Sequence, residues 1–280
     1  MRYLILADIH GNLPALNAVL ATGEAASCDR IISLGDQVNY GPQSSQVLAR
    51  LRELDAIMLL GNHEERLMHL HSPDLQGYNW TLLHWTASQL NGWIPDLPVD
   101  LRIGSALFTH GTPGDPYQHL DKLLPGYLDT LPDDVTHLFC GHSHRTLIVE
   151  HGGHMAVNPG SVGAGKTLCG CTATFAVYDS DDGSVTLHAA PYSAEDVARA
   201  FIRSGATQAA PMMCRVVQQT IETGTEESVS ALMRHIIAVG APHGLGIGDQ
   251  AAWEMADATF TWTVPLATAD YWKMMEDTLL

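Results

Sequence analysis

The sequence predicts an α/β protein with two β-sheets flanked by helices, followed by a mainly helical extension. Three observations carry this. A βαβαβ rhythm opens the chain, with strand-like apolar runs suited to burial on both faces. A series of short strand candidates follows between residues 101 and 189. From Ser193 onward the apolar periodicity is helical. The expected division is a domain over 1–190 and a helical extension over 191–280, packed on the first domain or on a second copy of the chain.

Arg2–Ala7, apolar from Tyr3 onward, reads as a buried strand. Leu13–Ala25 reads as a helix with Leu16, Val19 and Leu20 on one side. Arg30–Leu34 is a second strand, Ser44–Leu54 a second helix and Asp55–Leu60 a third strand. Helical patterns cover Glu64–His71 and Asn79–Leu90. Next come short strand candidates at Leu101–Ile103, Ala106–Thr109, His137–Cys140, Leu147–Glu150, Met155–Asn158, Ala173–Asp179 and Val185–Ala189. Asp181-Asp182-Gly183 is a hairpin turn between the last two. In the extension Val229, Leu232, Met233, Ile236 and Ile237 recur at helical spacing, and Val197, Phe201 and Ile202 form a shorter stripe. Trp253, Phe260, Trp262, Tyr271 and Trp272 would form a large apolar patch if exposed, so the extension is expected to pack against something, the cleft of the first domain included.

Composition excludes several classes. Hydrophobic residues make up 46% and charged residues 16% of the 280, a globular rather than disordered balance. No apolar run is long enough to span a membrane, and the N-terminal run is too short for a signal peptide, so a cytoplasmic location is expected. The formal charge is −17, negative in both parts, which disfavours duplex nucleic acid as a partner. Five cysteines with no framework spacing fit a reducing compartment.

The chemistry sits in five motifs, each at the end of a strand-like run: Asp8-Ile9-His10, Gly35-Asp36, Gly61-Asn62-His63-Glu64, His110-Gly111 and Gly141-His142-Ser143-His144. Singly, each reads as turn chemistry or a polar loop. Together they offer carboxylate, amide and imidazole ligands without a thiolate, a set suited to Mn²⁺, Fe, Zn²⁺ or Ni²⁺. There are enough for two metals around a shared carboxylate, the arrangement that clamps an in-line displacement at phosphorus. Asp36 is the bridging candidate, because a carboxylate can bind two cations and a neutral imidazole cannot. The remaining histidines lack motif context, and Cys169-Gly170-Cys171 lacks partners for a metal site.

With Asp8-Ile9-His10-Gly11-Asn12, Gly35 through Pro42, Gly61 through Glu64, Thr109-His110-Gly111, Gly141 through His144 and Asn158 through Gly163, the chain resembles the calcineurin-like metallophosphoesterase superfamily over roughly residues 1 to 190. Within it, the small bacterial phosphodiesterase-like branch is the nearest in pattern. The resemblance implies an α-β-β-α sandwich with metals at the strand ends. It implies Asp8, His10, Asp36 and His144 on one metal, and Asp36, Asn62, His110 and His142 on the other, with Mn favoured. His63 is then beside the centre, as general acid for the leaving group. The expected reaction is hydrolysis of a small phosphodiester or nucleotide by metal-bound hydroxide. A dinucleoside polyphosphate hydrolase, a phosphomonoesterase and a non-catalytic scaffold of the same fold are the alternatives.

Departures from the family pattern bear on substrate. Asn39-Tyr40-Gly41-Pro42 stands where protein phosphatases of the superfamily carry Asp-Arg-Gly, which argues against a phosphoprotein. Gly114 and Lys166 stand where close relatives often place arginine, leaving Arg145 and Lys166 to touch substrate oxygens. A small phosphorylated molecule is the expected partner, with a homo-oligomer through the extension as a further possibility and no membrane.

Overall fold

The computed structural model describes residues 1–91, 95–167, 169–262 and 268. The first sheet runs, strand by strand, Ser184–Pro191, Thr172–Asp179, Arg2–Leu6, Arg30–Ser33, Ile57–Met58, and the second Asp100–Ile103, Ala106–Thr109, His137–Phe139, His154–Pro159, Thr146–His151. In chain order the first domain comprises β1 (Arg2–Leu6), α1 (Leu13–Leu20), α2 (Gly23–Ala26), β2 (Arg30–Ser33), α3 (Ser44–Glu53), β3 (Ile57–Met58), α4 (Asn62–Met68) and α5 (Thr81–Leu90). Then follow β4 (Asp100–Ile103), β5 (Ala106–Thr109), β6 (His137–Phe139), β7 (Thr146–His151), β8 (His154–Pro159), β9 (Thr172–Asp179) and β10 (Ser184–Pro191). β1 pairs parallel with β2 and antiparallel with β9, while β5, β6 and β8 run parallel.

Alternation along the central strands builds the layers. Tyr3, Ile5 and Ala7 point between the sheets, where they meet Phe108, Phe139, Val157 and Tyr178. Leu4 and Leu6 point the other way, onto Leu16 and Val19 of α1 and Val47 and Leu51 of α3. The outer face of the second sheet packs Leu138 and Ala156 against Leu120 and Leu128, which lie in short 3₁₀ turns rather than α-helices. The result is an α/β sandwich of two mixed sheets flanked by helices, as expected.

Several boundaries differ from those expected. The helix over 13–25 is two pieces, because Ala21 closes α1 and the Thr22 side chain caps α2 by accepting from the Ala25 N–H. The third strand shrinks to two residues, and the hairpin at 181–183 is present with Gly183 at φ +76°.

Beyond β10 lie α6 (Ala194–Ser204), α7 (Ala206–Ala209), α8 (Pro211–Thr223), α9 (Glu227–Gly240) and α10 (Gln250–Asp257). Val197 and Phe201 of α6 and Cys214, Val217 and Ile221 of α8 bury against Leu82 of α5, with Tyr40 and Trp85 at the margin. A second small core joins Met212 and Val216 to Leu232, Ile236 and Trp253. Ile237, expected on the buried stripe of α9, is instead 52% exposed. Phe260 and Trp262 pack beside that core, whereas Tyr271 and Trp272 lie outside the described residues.

Candidate dinuclear metal centre

The strands stop abruptly where the expected ligands begin. Asp8, His10, Asp36, His142 and His144 all adopt positive φ, between 49° and 67°. That region is costly for L-residues and least so for Asp, Asn and His, and such strain concentrates at functional sites. Each turn swings a side chain across the end of the sheet instead of continuing the strand's alternation. Glycines make room for the turns: a Cβ on Gly61 would lie 2.2 Å from both the backbone nitrogen and Oδ1 of Asp36.

Backbone bonds hold the turns in register. The His10 N–H donates to the Asp36 carbonyl at 2.9 Å, and the Asp8 N–H to that of Gly35 at 3.1 Å. The Asn158–Gly163 motif serves as bracing. Asn158 Nδ2 donates to the Gly141 carbonyl at 2.7 Å, Ser161 Oγ to that of Asp8 at 2.8 Å, and the Gly163 N–H to the same Asp8 carbonyl at 3.0 Å. Glu64, in the first turn of α4, accepts three backbone N–H bonds, from Asp36 and Gly61 on Oε2 and from Val38 on Oε1.

All seven expected ligands converge. Asp8, His10 and His144 form one group able to hold a metal, Asp36, His110 and His142 another, and His10, Asp36 and His63 a third that overlaps both. Both carboxylates are arranged alike. One oxygen of each accepts a backbone N–H: Asp8 Oδ2 from His142 at 3.0 Å, and Asp36 Oδ1 from His63 at 2.8 Å. The other oxygen faces the imidazoles. Asp8 Oδ1 is buried without a hydrogen-bond partner, 3.3 Å from His144 Nε2. Asp36 Oδ2 is central, 3.3 Å from His110 Nε2, 3.8 Å from His10 Nε2 and 3.9 Å from His63 Nε2.

The outer nitrogens of the imidazoles fix which inner nitrogen is bare. Nδ1 of His10, His110 and His144 lies 3.3, 3.1 and 2.8 Å from the carbonyl oxygens of Val38, Leu34 and Ala164. A carbonyl only accepts, so each Nδ1 carries the proton and each neutral ring turns a lone pair on Nε2 inward. Asn62 completes the second group. With its oxygen inward, that atom stands 3.1 Å from His110 Nε2, 3.0 Å from His142 Nδ1 and 3.1 Å from Asp36 Oδ2. Four acceptors then share one small volume, a set that a cation reconciles. With the amide turned over, its nitrogen donates inward and its oxygen accepts from Arg66 Nη1 at 2.6 Å. Orphaned carboxylate oxygen, oriented lone pairs and converging acceptors all fit divalent metals.

Protons compete for the same positions. Burial opposes the His110 imidazolium, but the adjacent Asp36 carboxylate outweighs it and raises the pKa to about 9. His144 is raised against its burial by Asp8, while Asp8 and Asp36 are lowered against theirs by His144 and His110 respectively. Burial lowers His142 and His63 to about 4. Nδ1 of His63 accepts from Asn39 Nδ2 at 2.8 Å, so the neutral ring carries its proton on Nε2, toward the centre.

Other residues at the site were not singled out by the sequence. Arg66 stands one helical turn after Asn62, between the rings of Trp80 and Tyr117 at 5.3 and 5.2 Å. That i,i+4 spacing was the available signal. Tyr40 covers His10 and His63, with ring centroids 4.5 and 4.7 Å away. His119, expected to be incidental, lies 4.2 Å from the His142 ring. Arg145 and Lys166 are not among the converging groups. They line a cleft beside His144, where Lys166 pairs with Glu226 at 3.0 Å.

Comparison with known proteins agrees with this arrangement. The profile of the calcineurin-like phosphoesterase superfamily domain matches residues 1–183 of the 280. The chain is 25% identical over 221 residues to protein MJ0912 of Methanocaldococcus jannaschii, covering 70% of this chain and 89% of that one. It is 29% identical over 196 residues to phosphodiesterase YfcE of Escherichia coli K12, covering 66% and 91%. Among solved structures, a metallophosphoesterase from Sphaerobacter thermophilus superposes with a TM-score of 0.66 at 25% identity, covering 80% of this chain and all of that one. That coverage exceeds the span of the family profile, so the likeness runs into the helices after β10. Seven ligand-type side chains at the ends of two packed sheets, and a family match over most of the chain, lead to one conclusion: the chain belongs to the calcineurin-like phosphoesterase superfamily.

Proposed function

We propose that this protein hydrolyses a small phosphodiester or nucleotide at a two-metal centre, with Asp8, His10, Asp36 and His144 holding one ion and Asp36, Asn62, His110 and His142 the other. The observation that carries the reading is the convergence of these seven side chains, with three Nε2 lone pairs turned inward by backbone carbonyls. Two divalent ions there, manganese being favoured, would generate a hydroxide nucleophile from water and neutralise charge on the phosphoryl group. Asp36 Oδ2, at the middle of the cluster, is the shared ligand. His63 presents Nε2–H toward the same space, where it would donate a hydrogen bond to the leaving oxygen as charge develops there. Arg66, at the edge of the Asn62 amide, offers a guanidinium to phosphoryl oxygens.

The likeness to a bacterial phosphodiesterase supports a diester, and the acidic chain supports a small substrate over duplex nucleic acid. Five cysteines without a disulfide support a reducing, cytoplasmic setting, and no helix among the described residues is long and apolar enough to cross a membrane. The test is turnover of bis(p-nitrophenyl) phosphate by purified protein of known metal content. Hydrolysis should vanish with a chelator and return with Mn²⁺. Two bound metals without hydrolysis of any phosphoester would favour the scaffold reading.

A further inference from the structure

We propose that the helical extension completes a second anion subsite beside the metal centre, so that the preferred substrate carries a further phosphate on the part of the molecule distant from the scissile bond. This rests on the phosphoesterase reading above and extends it to substrate class. A cleft of about 710 Å³ opens between the loop after His144 and the junction of α8 and α9. Arg145 and Lys166 line it from one side, and Glu226, Glu227, Ser230 and Arg234 from the extension.

With three basic side chains against two acidic ones, Glu226 and Glu227, this cleft keeps a slight positive excess in an acidic chain. In a protein of net charge −17 with only 14 basic side chains, three of them meet here. Elsewhere Arg30 sits on Asp55 and Arg102 on Asp134. Arg145 and Arg234 have no ion-pair partner among the described residues, and Lys166 alone is matched, by Glu226. Two unmatched guanidiniums facing one cleft suit a phosphate dianion, which accepts from both in planar, two-pronged fashion.

The cleft is tied to the metal ligands through the backbone. Arg145 directly follows His144, and the Lys166 N–H donates to the His144 carbonyl at 3.1 Å. Glu226 also borders a cavity of about 80 Å³ whose walls include His144, Tyr40 and Val229. A ligand held by Arg145 and Arg234 therefore lies next to the residue that closes the first metal group. Because Arg234 is on α9, substrate choice depends on a part of the chain beyond the matched family domain.

The experiment compares two esters with the same leaving group, the p-nitrophenyl ester of thymidine 5′-phosphate with and without a 3′-phosphate. The metal-loaded protein should favour the 3′-phosphorylated ester in kcat/KM by about tenfold or more, the scale of one charge-assisted contact. Arg234→Ala should collapse that ratio toward one, and Arg30→Ala, a loss of equal charge elsewhere, should preserve it. Equal rates on both esters in the unaltered protein, or a ratio untouched by Arg234→Ala, would overturn the subsite. If neither ester turned over, the hydrolytic reading would fail by itself. Calorimetry with thymidine 3′,5′-bisphosphate and thymidine 5′-phosphate would then decide the subsite: tighter binding of the bisphosphate, lost in Arg234→Ala, upholds it, and equal binding overturns it.

Discussion

At the scale of single residues, the centre depends on groups that never meet a metal. Glu64 ties Asp36, Val38 and Gly61 together through three backbone N–H bonds. Burial and the nearby Asp36 carboxylate raise its pKa to about 8, so those donors are what favour the ionised form that accepts them. Glu64→Gln replaces one acceptor oxygen with a donor facing an N–H. It should cost about 1–3 kcal/mol of stability and weaken metal retention, read by thermal unfolding and elemental analysis. Unchanged unfolding and metal content would remove Glu64 from this role. His63 offers a separable prediction. If its Nε2–H assists the leaving oxygen, His63→Ala should keep both metals and lose more activity on alkyl than on p-nitrophenyl esters, because p-nitrophenolate leaves without a proton. General acid assistance is worth ~10²–10⁴-fold, so the contrast is measurable. Equal losses on both esters would make His63 a charge stabiliser instead, and loss of a metal would make it a ligand.

At the scale of elements, the strands of the sandwich and the candidate ligands at their ends were legible, because burial on both faces writes largely apolar runs and five of these end in a polar motif. Less was visible where geometry rather than pattern decides. Nothing in the sequence announces that Asp8, His10, Asp36, His142 and His144 sit at positive φ, since local types are compatible with ordinary turns as well. The 13–25 helix looked continuous because Thr22 is an acceptable helix residue, and its capping role emerges only when the chain turns there. Arg66 lies outside the Gly61–Glu64 motif, and its place beside Asn62 follows only from the helix that the motif begins. The extension's stripes predicted packing, and α6 and α8 do bury Val197, Phe201 and Val217 against α5. Cutting after residue 192 would expose Leu82 and its neighbours. A 1–192 fragment should therefore aggregate or lose cooperative unfolding, and a soluble, fully active fragment would show the extension to be dispensable.

At the scale of the whole molecule, a chain of net charge −17 gathers, among its described residues, imidazoles and carboxylates at a place suited to cations. Metal and proton compete there. His110 holds a proton below its pKa of about 9, and a metal must displace it, whereas the ligand His142, at about 4, has no imidazolium proton to release at pH 7. Metal affinity should therefore rise with pH through 7 and 8 and level off above about 9, with at least one proton released per chain at pH 7. Titration calorimetry in buffers of different ionisation enthalpy reads that number, and pH-independent affinity between 6 and 8 would contradict the assignment. Sharing of Asp36 between two ions is read most directly from the metal content of Asp36→Asn beside that of the unaltered protein. Two ions per chain are expected in the unaltered protein, and markedly weakened binding of both with loss of hydrolysis in the variant. Two tightly held metals and ordinary activity in Asp36→Asn would contradict it.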